Sequence, residues 1–300
     1  MTTPQKSSTV RPRVLLQLDS DQHPSVFDAV VAVDSKVDHL LRHGSVSPDQ
    51  VQEMVHGTIF TRGPKELMNT AIFVGGSDVV QGEALLQAVQ QTFFGPMRVS
   101  VMMDSNGSNT TAAAAVLAAE RHVNLGDSRV ALLAGTGPVG RRVAWLLASQ
   151  GAEIQVGSRS LRRAQEVCES VRLRFPDCVV LPVETGTNDA LVQVLDESAV
   201  VIAAGSPAIR LLPESVRLQA KQLQVVVDLN AVPPQGIEGV DVMDQGVERD
   251  GIACYGAIGV GAYKMKIHKI AIGRLFERND LVLDAEEIYA LGAEILSSNA

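Results

Sequence analysis

The sequence reads VALLAGTGPVG from residue 130 to residue 140. The apolar run predicts a buried strand, and the three glycines at positions 135, 137 and 140 have the GxGxxG spacing. In that spacing the first glycine permits a tight turn, the second lets a pyrophosphate approach the backbone, and the third lets the next helix pack closely on the strand. The stretch predicts a dinucleotide-binding unit rather than a turn without a ligand. The predicted cofactor contacts are Gly135, Thr136, Gly137, Pro138, Val139 and Gly140.

The end of the following predicted strand indicates which dinucleotide binds. An NAD enzyme usually has Asp or Glu about 20 residues after the glycines, to bind the ribose hydroxyls. This chain instead has Ser158, Arg159 and Ser160, with Arg163 one turn later. Guanidinium and hydroxyl groups bind the 2′-phosphate of NADP, whereas the alternative, solvated arginines at a helix start, would oppose the helix dipole. We predict NADP, with NAD as the second choice. Ala204 and Asn230, which follow two later predicted strands, complete the predicted cofactor set.

Short β-branched runs alternate with longer helical stretches along the whole chain, which is typical of an α/β fold with parallel strands. Strands are predicted at residues 14–19, 58–62, 70–74, 98–104, 129–134, 153–156, 179–183, 199–203 and 224–228. The pattern predicts an N-terminal α/β substrate domain at 13–125 and a Rossmann domain at 126–262. Closing helices at about 264–298 are expected to pack back on the first domain. Asp284 and Glu287 form the capping box of the last helix.

Composition excludes several classes of protein. The 300 residues include 26 Lys and Arg against 34 Asp and Glu, a net charge of −8, which argues against binding to nucleic acid or to anionic membranes. No apolar run approaches the roughly 20 residues that cross a bilayer. The three cysteines and six histidines show no metal-ligand spacing, and the sparse cysteines fit a reducing compartment. We therefore expect a cytoplasmic protein without a metal site.

Polar residues end each of the four strands predicted in the first domain. They begin at Asp19, Thr61, Gly75 and Asp104, and the last stretch continues to Thr111. Because ligands gather outside the carboxyl ends of parallel strands, these ends predict a polar substrate cleft. Helix capping would account for any single strand end. The stretch after Asp104 is longer than one cap needs.

A second cluster, YGAIGVGAYKMKIH, covers residues 255–268. Its glycines precede a predicted helix, and Lys264 lies near the start of that helix, where the dipole disfavours a cation. Lys264 and His268 share one helix face at i, i+4 spacing. The placement predicts a lysine directed at a ligand, and the alternative is a surface lysine.

Together these segments resemble the bacterial NADP-dependent methylene-tetrahydromethanopterin dehydrogenases. The resemblance rests on residues 19–28, 59–63, 71–78, 103–111, 135–140 and 255–268. It implies a pterin-binding domain followed by a Rossmann domain, and a homo-oligomer, either a trimer or a hexamer. It also implies the oxidation of methylene-tetrahydromethanopterin to the methenyl form in one-carbon metabolism, by direct hydride transfer to NADP⁺.

The resemblance also implies roles for individual residues. Lys264 corresponds to the lysine that contacts the pterin, and it forms the predicted catalytic set with Asp21 and Asp104. The predicted substrate-binding residues are Asp19, Ser105, Asn106, Thr110, Thr111, Lys264 and His268. The methylene carbon lies between two nitrogens, so the cation left by hydride removal is delocalised and no general base is required. A carboxylate would stabilise that cation.

Three other functions remain open. The chain has Ala262 and Tyr263 where the family usually has Gly and Leu, which leaves a methylenetetrahydrofolate dehydrogenase as the first alternative. The second is a shikimate-dehydrogenase-like NADP oxidoreductase, whose reaction would also transfer a proton. The third is an NADP-sensing protein without catalytic activity.

Overall fold

The computed structural model describes residues 11–297. Their contacts divide the chain into two compact units. The first unit holds the described chain up to Asn106 together with Lys269–Leu283, and the second holds Gly107–His268 and the described chain from Asp284. Between residues 11 and 297, no helix is both long enough and apolar enough to cross a bilayer.

The first unit is built on a five-stranded parallel sheet with the order β12-β4-β3-β1-β2. Its strands are β1 (Val14–Asp19), β2 (His39–His43), β3 (Thr70–Gly75), β4 (Ser100–Met103) and β12 (Val282–Leu283). The helices are α1 (Val26–Asp34), α2 (Val51–Ile59) and α3 (Val79–Thr92). Every residue of the central strand β3 is buried. The carboxyl ends of β1, β3 and β4 lead into the polar loops that the sequence singled out.

One predicted strand in this unit is wrong. Residues 58–62 begin in the last turn of α2 rather than in a strand. Val51, Val55 and Ile59 recur every four residues and are fully buried, so helical packing outweighs the β-propensity of Thr58 and Ile59. The strand beside β1 is instead β2, which the sequence did not indicate.

The second unit has a seven-stranded sheet with the order β10-β11-β9-β8-β5-β6-β7. The strands are β5 (Arg129–Leu133), β6 (Glu153–Ser158), β7 (Val180–Glu184), β8 (Val200–Ala203), β9 (Val225–Asp228), β10 (Gln245–Arg249) and β11 (Ile252–Tyr255). All neighbours are parallel except β10 and β11. From β7 to β11 this is the Rossmann order 3-2-1-4-5-6, with its switch point between β5 and β8.

Helices surround this second sheet. They are α4 (Ser108–Glu120), α5 (Pro138–Ser149), α6 (Leu161–Arg174), α7 (Asn188–Leu195), α8 (Glu214–Arg217), α9 (Ala257–Arg274) and α10 (Ala285–Ser297). The backbone N–H of Asp284 donates to Glu287 Oε2 at 3.1 Å, so the predicted capping box is present. Helix α10 lies in the second unit and packs on α4, whose alanines are fully buried. The part of α9 from Lys269 onwards belongs to the first unit.

Candidate functional site

The glycine-rich turn connects β5 to α5, which begins at Pro138. A Cβ atom on Gly140 would lie 2.6 Å from the backbone of Gly135, so no side chain fits where the helix meets the turn. A Cβ on Gly137 would meet nothing within 4 Å, so this glycine borders open space. The first N–H groups of α5 have no partner within the helix and carry its partial positive charge. The turn therefore has the shape and polarity that a pyrophosphate requires.

A pocket of about 780 Å³ lies beside this turn. It is lined by Ala134, Thr136, Gly137, Ser158, Arg159, Ser160, Arg163, Thr185, Gly186, Ala204, Gly205, Ser206, Ile209, Arg210 and Leu211. Seven of the predicted cofactor residues are among them, including Arg159, Arg163 and Ala204. Asn230 is not: its side chain is engaged locally, donating to the Pro234 carbonyl at 2.9 Å and accepting from the Val232 N–H at 2.9 Å.

The lining of this pocket is positively charged, although the protein has a net charge of −8. Three arginines, Arg159, Arg163 and Arg210, line it, and none of the described lining residues is Asp or Glu. Arg162 faces elsewhere and pairs with Glu166 at 2.7 Å along α6. The residues present thus fit a dinucleotide with an additional phosphate.

Lys264 lies in the second unit, on α9. Its Nζ donates to the Gly107 carbonyl at 3.3 Å, and the Thr111 hydroxyl donates to the same oxygen at 2.6 Å. Gly107 has a φ of 57°, and a Cβ atom there would clash with Lys264 Nζ. The structure thus brings two predicted residues, Lys264 and Thr111, together at the start of α4.

Other predicted substrate residues of this unit are enclosed. The side chains of Thr110 and His268 are fully buried. The Thr110 hydroxyl lies 3.5 Å from the Gly107 carbonyl, at the limit of a hydrogen bond. His268 is one turn beyond Lys264, and its burial places it inside the unit rather than on a surface that a ligand reaches directly.

In the first unit, Asp19 shapes the loop after β1. Its buried carboxylate accepts from the N–H groups of Asp21 at 2.9 Å and Ser25 at 3.1 Å. Asp21 is only half-buried, and its carboxylate accepts from the Ser77 N–H at 3.1 Å and the Ser77 hydroxyl at 2.8 Å. The two carboxylates therefore have different environments. Of the two, Asp21 is the one that solvent, and hence a substrate, reaches.

The loop after β4 likewise contains both buried and exposed polar residues. Asp104 and Ser105 are buried, and the Ser105 hydroxyl donates to the Gly75 carbonyl at 2.9 Å. Asn106 is exposed and takes a left-handed φ of 56°, which asparagine tolerates better than most residues. Its side chain is therefore the part of this loop that projects most freely. Among residues 11–297, no three His, Cys, Asp or Glu side chains converge as a metal site would need.

The sequence of this chain matches known proteins over both units. A family model described as methylene-tetrahydromethanopterin dehydrogenase, N-terminal, matches residues 26–106. The "Bifunctional protein MdtA" of Methylorubrum extorquens is 45% identical over 285 residues, which cover 94% of this chain and 99% of that protein. The chain belongs to the methylene-tetrahydromethanopterin dehydrogenase family. The resemblance predicted from its motifs is confirmed.

A second member of the family is more distant. The NAD(P)-dependent methylenetetrahydromethanopterin dehydrogenase of the same organism is 28% identical over 292 residues, with 94% of this chain and 98% of that protein covered. Among solved structures, shikimate 5-dehydrogenase from Listeria monocytogenes superposes with a TM-score of 0.55 at 13% identity, covering 98% of this chain and 99% of that one. This structural likeness confirms the predicted α/β fold with a Rossmann-type sheet, and nothing finer.

The sequence did not indicate Arg210, and it did not indicate which residue Ser77 contacts. Arg210 lines the dinucleotide pocket from the loop after β8, where it pairs with Glu238 at 3.0 Å. Ser77 holds Asp21 through two hydrogen bonds from a loop 56 residues away. No local motif surrounds Arg210. Ser77 lies in segment 71–78, which carries the family resemblance, but its contact with Asp21 forms only in the folded chain.

Proposed function

We propose that the protein is an NADP-dependent methylene-tetrahydromethanopterin dehydrogenase. The observation that carries the proposal is that the second unit combines the glycine-rich turn, an arginine-lined pocket without carboxylates, and Lys264 held at the start of α4. The family membership supports the substrate class. From the family resemblance we propose that Asp21 and Asn106 also act on the substrate.

The cofactor preference follows from the charges of the pocket. Arg159 and Arg163 lie beside Ser158 and Ser160, and together they offer guanidinium and hydroxyl donors for a 2′-phosphate. An Asp or Glu in this position would repel that phosphate and bind the free hydroxyls of NAD instead. We therefore propose NADP as the preferred cofactor, with NAD accepted more weakly.

The residues of this chain orient the reactants rather than exchange protons with them. When bound, the nicotinamide accepts a hydride from the methylene carbon of the pterin. The ammonium of Lys264 donates to a pterin carbonyl, and the Gly107 carbonyl keeps it in place for that contact. Asp21, whose oxygens retain acceptor capacity beyond the two Ser77 bonds, stabilises the positive charge that develops on the substrate. Orientation of this kind contributes several kcal/mol, up to about 7–11, to a two-reactant step.

We also propose that the enzyme is cytoplasmic and works as a homo-oligomer, a trimer or a hexamer, as the family resemblance implies. One observation favours a second substrate. Tyr263, where the family usually has leucine, lies beside Tyr255, with ring centroids 6.5 Å apart, and Arg121 lies 5.9 Å from the Tyr263 ring. The tyrosine in place of leucine is the departure from the family pattern that leaves methylenetetrahydrofolate as a second substrate.

The test is to follow the absorbance of NADPH with purified protein, NADP⁺ and methylene-tetrahydromethanopterin, and to repeat it with methylene-tetrahydrofolate. We expect turnover with the first substrate at a higher kcat/KM than with the second. The reverse order would establish the folate reaction instead. Tight NADPH binding with no turnover of either substrate would refute the proposal.

A further inference from the structure

Asn109 links three helices inside the second unit. It lies in the first turn of α4 and is completely buried. Its Oδ1 accepts from Arg142 Nε of α5 at 2.8 Å, and its Nδ2 donates to Asp284 Oδ1 at 2.9 Å, immediately before α10. The side-chain amide thus stands between a cation and an anion, with the carbonyl toward the arginine and the NH₂ toward the carboxylate.

The two charged partners are themselves held in place. Arg142 is only 1% exposed, and its guanidinium carbon lies 4.2 Å from the ring centroid of Trp145. Arg174 lies 4.8 Å from the same ring and forms two hydrogen bonds to Glu286, at 2.8 and 2.6 Å. Asp284 belongs to the capping box of α10. Because a buried charge requires a partner, Arg142 and Asp284, which bond to the Asn109 amide directly, fix its orientation.

Asn109 lies two residues after Gly107, whose carbonyl receives Lys264. The start of α4 has no side-chain cap: Gly107 occupies the N-cap position in a left-handed conformation. The side chain of Asn109 anchors the first turn of the helix through Arg142 and Asp284 instead. Its partner Arg142 is one turn into α5, which begins directly after the glycine-rich turn. One amide thus ties the lysine-bearing site to the helix that carries the cofactor turn.

We propose that Asn109 is a positioning residue for hydride transfer, acting through Gly107 on Lys264 and held by Arg142 and Asp284. This inference rests on the proposed function. Asn109 touches neither ligand in this scheme. Its effect on the rate must therefore pass through Lys264, and this distinguishes it from a residue that only stabilises the fold.

The first experiment is a double-mutant cycle of Asn109→Asp and Lys264→Ala, measured as kcat with saturating NADP⁺ and pterin. The aspartate keeps an acceptor for Arg142 but places a second carboxylate against Asp284. We expect kcat to fall by about 10-fold to 100-fold in the Asn109→Asp variant, the scale of a misplacement near 1 Å. In the Lys264→Ala background the same change should alter kcat by less than about twofold, because the lysine through which Asn109 acts on the substrate is already absent.

A reciprocal exchange keeps the proposal falsifiable if Asn109→Asp folds poorly. Combining Asn109→Asp with Asp284→Asn restores a donor opposite the acceptor, so both hydrogen bonds can form again. We expect this double variant to recover most of the lost kcat. Arg174→Gln is the matched control, since Arg174 borders the same tryptophan without touching Asn109; it should lower the melting temperature and leave kcat unchanged.

A spectroscopic readout is independent of activity. Trp145 is the only tryptophan in the chain, and Arg142 lies over its ring. Asn109→Asp should shift the emission of Trp145, and the reciprocal exchange should restore it, whereas Lys264→Ala should not change it. The proposal is overturned if the Asn109 and Lys264 effects on kcat multiply independently, or if the exchange restores emission and melting temperature but not kcat. If no variant of any kind shows pterin turnover, including the unmodified protein, the proposed function fails rather than this inference.

Discussion

Replacing Arg159 with glutamine removes one of three guanidinium groups that line the 780 Å³ pocket, with little change in side-chain length. A charge-assisted hydrogen bond contributes about 1.5–3 kcal/mol. Because Arg159 is exposed, the lower end applies, and about 1.5 kcal/mol corresponds to roughly a tenfold weaker affinity. NAD lacks the phosphate, so its affinity should change less than about twofold. The preference for NADP over NAD should therefore fall about tenfold in Arg159→Gln, and about 100-fold when Arg163→Gln is added.

The assay is the ratio of kcat/KM for the two cofactors at saturating pterin, together with direct titration of NADPH binding. Arg162→Gln is a matched control. Arg162 lies between the other two in sequence, but it pairs with Glu166 and does not line the pocket. The reasoning is refuted if Arg162→Gln lowers the preference as much as Arg159→Gln, or if Arg159→Gln weakens NAD and NADP equally.

Three further outcomes are expected. Gly107→Ala should lower both the melting temperature and kcat. Alanine at a φ of 57° is strained by about 1 kcal/mol or more, and its Cβ would displace Lys264. Gly261→Ala is the control, because a Cβ at that position meets nothing within 4 Å. Lys264→Ala should raise the KM for the pterin or lower kcat while leaving the Kd of NADPH within about twofold, and a loss confined to NADPH binding would contradict its role. Burial raises the pKa of the Cys168 and Cys254 thiols to about 11 from an ordinary value of 9.0. Between these two pH values, both thiols therefore stay protonated in the folded protein, whereas they ionise in the unfolded chain. The free energy of unfolding should therefore fall as the pH rises from about 9 to 11. Urea titrations at several pH values measure this fall, and Cys254→Ala should make it shallower. An unchanged slope would argue against the raised pKa of Cys254.

The features that the sequence indicates and the folded chain retains are those whose physics is local. The glycine spacing at Gly135–Gly137–Gly140, the arginines after β6 and the capping box of Asp284 and Glu287 each depend on residues within one or two turns of each other. Residues close by in the sequence determine the backbone angles of these features and decide which N–H groups their side chains contact. Local propensity fails at residues 58–62, where β-branched residues indicate a strand but the buried face of α2 requires a helix.

Sequence alone therefore determined the α/β fold class, the glycine-rich turn, the position of the arginines after β6 and the family, because each depends on spacing along the chain. Folding decided which of the candidate residues meet. Asn109 contacts Arg142 across 33 residues and Asp284 across 175, and Arg210 reaches the cofactor pocket from a loop with no motif of its own. Folding also decided that Asp19 and Ser105 are buried and hydrogen-bond to nearby backbone groups, while Asp21 remains half-exposed. Such pairings arise from the packing of whole helices and sheets, and no short stretch of sequence contains the information that sets them.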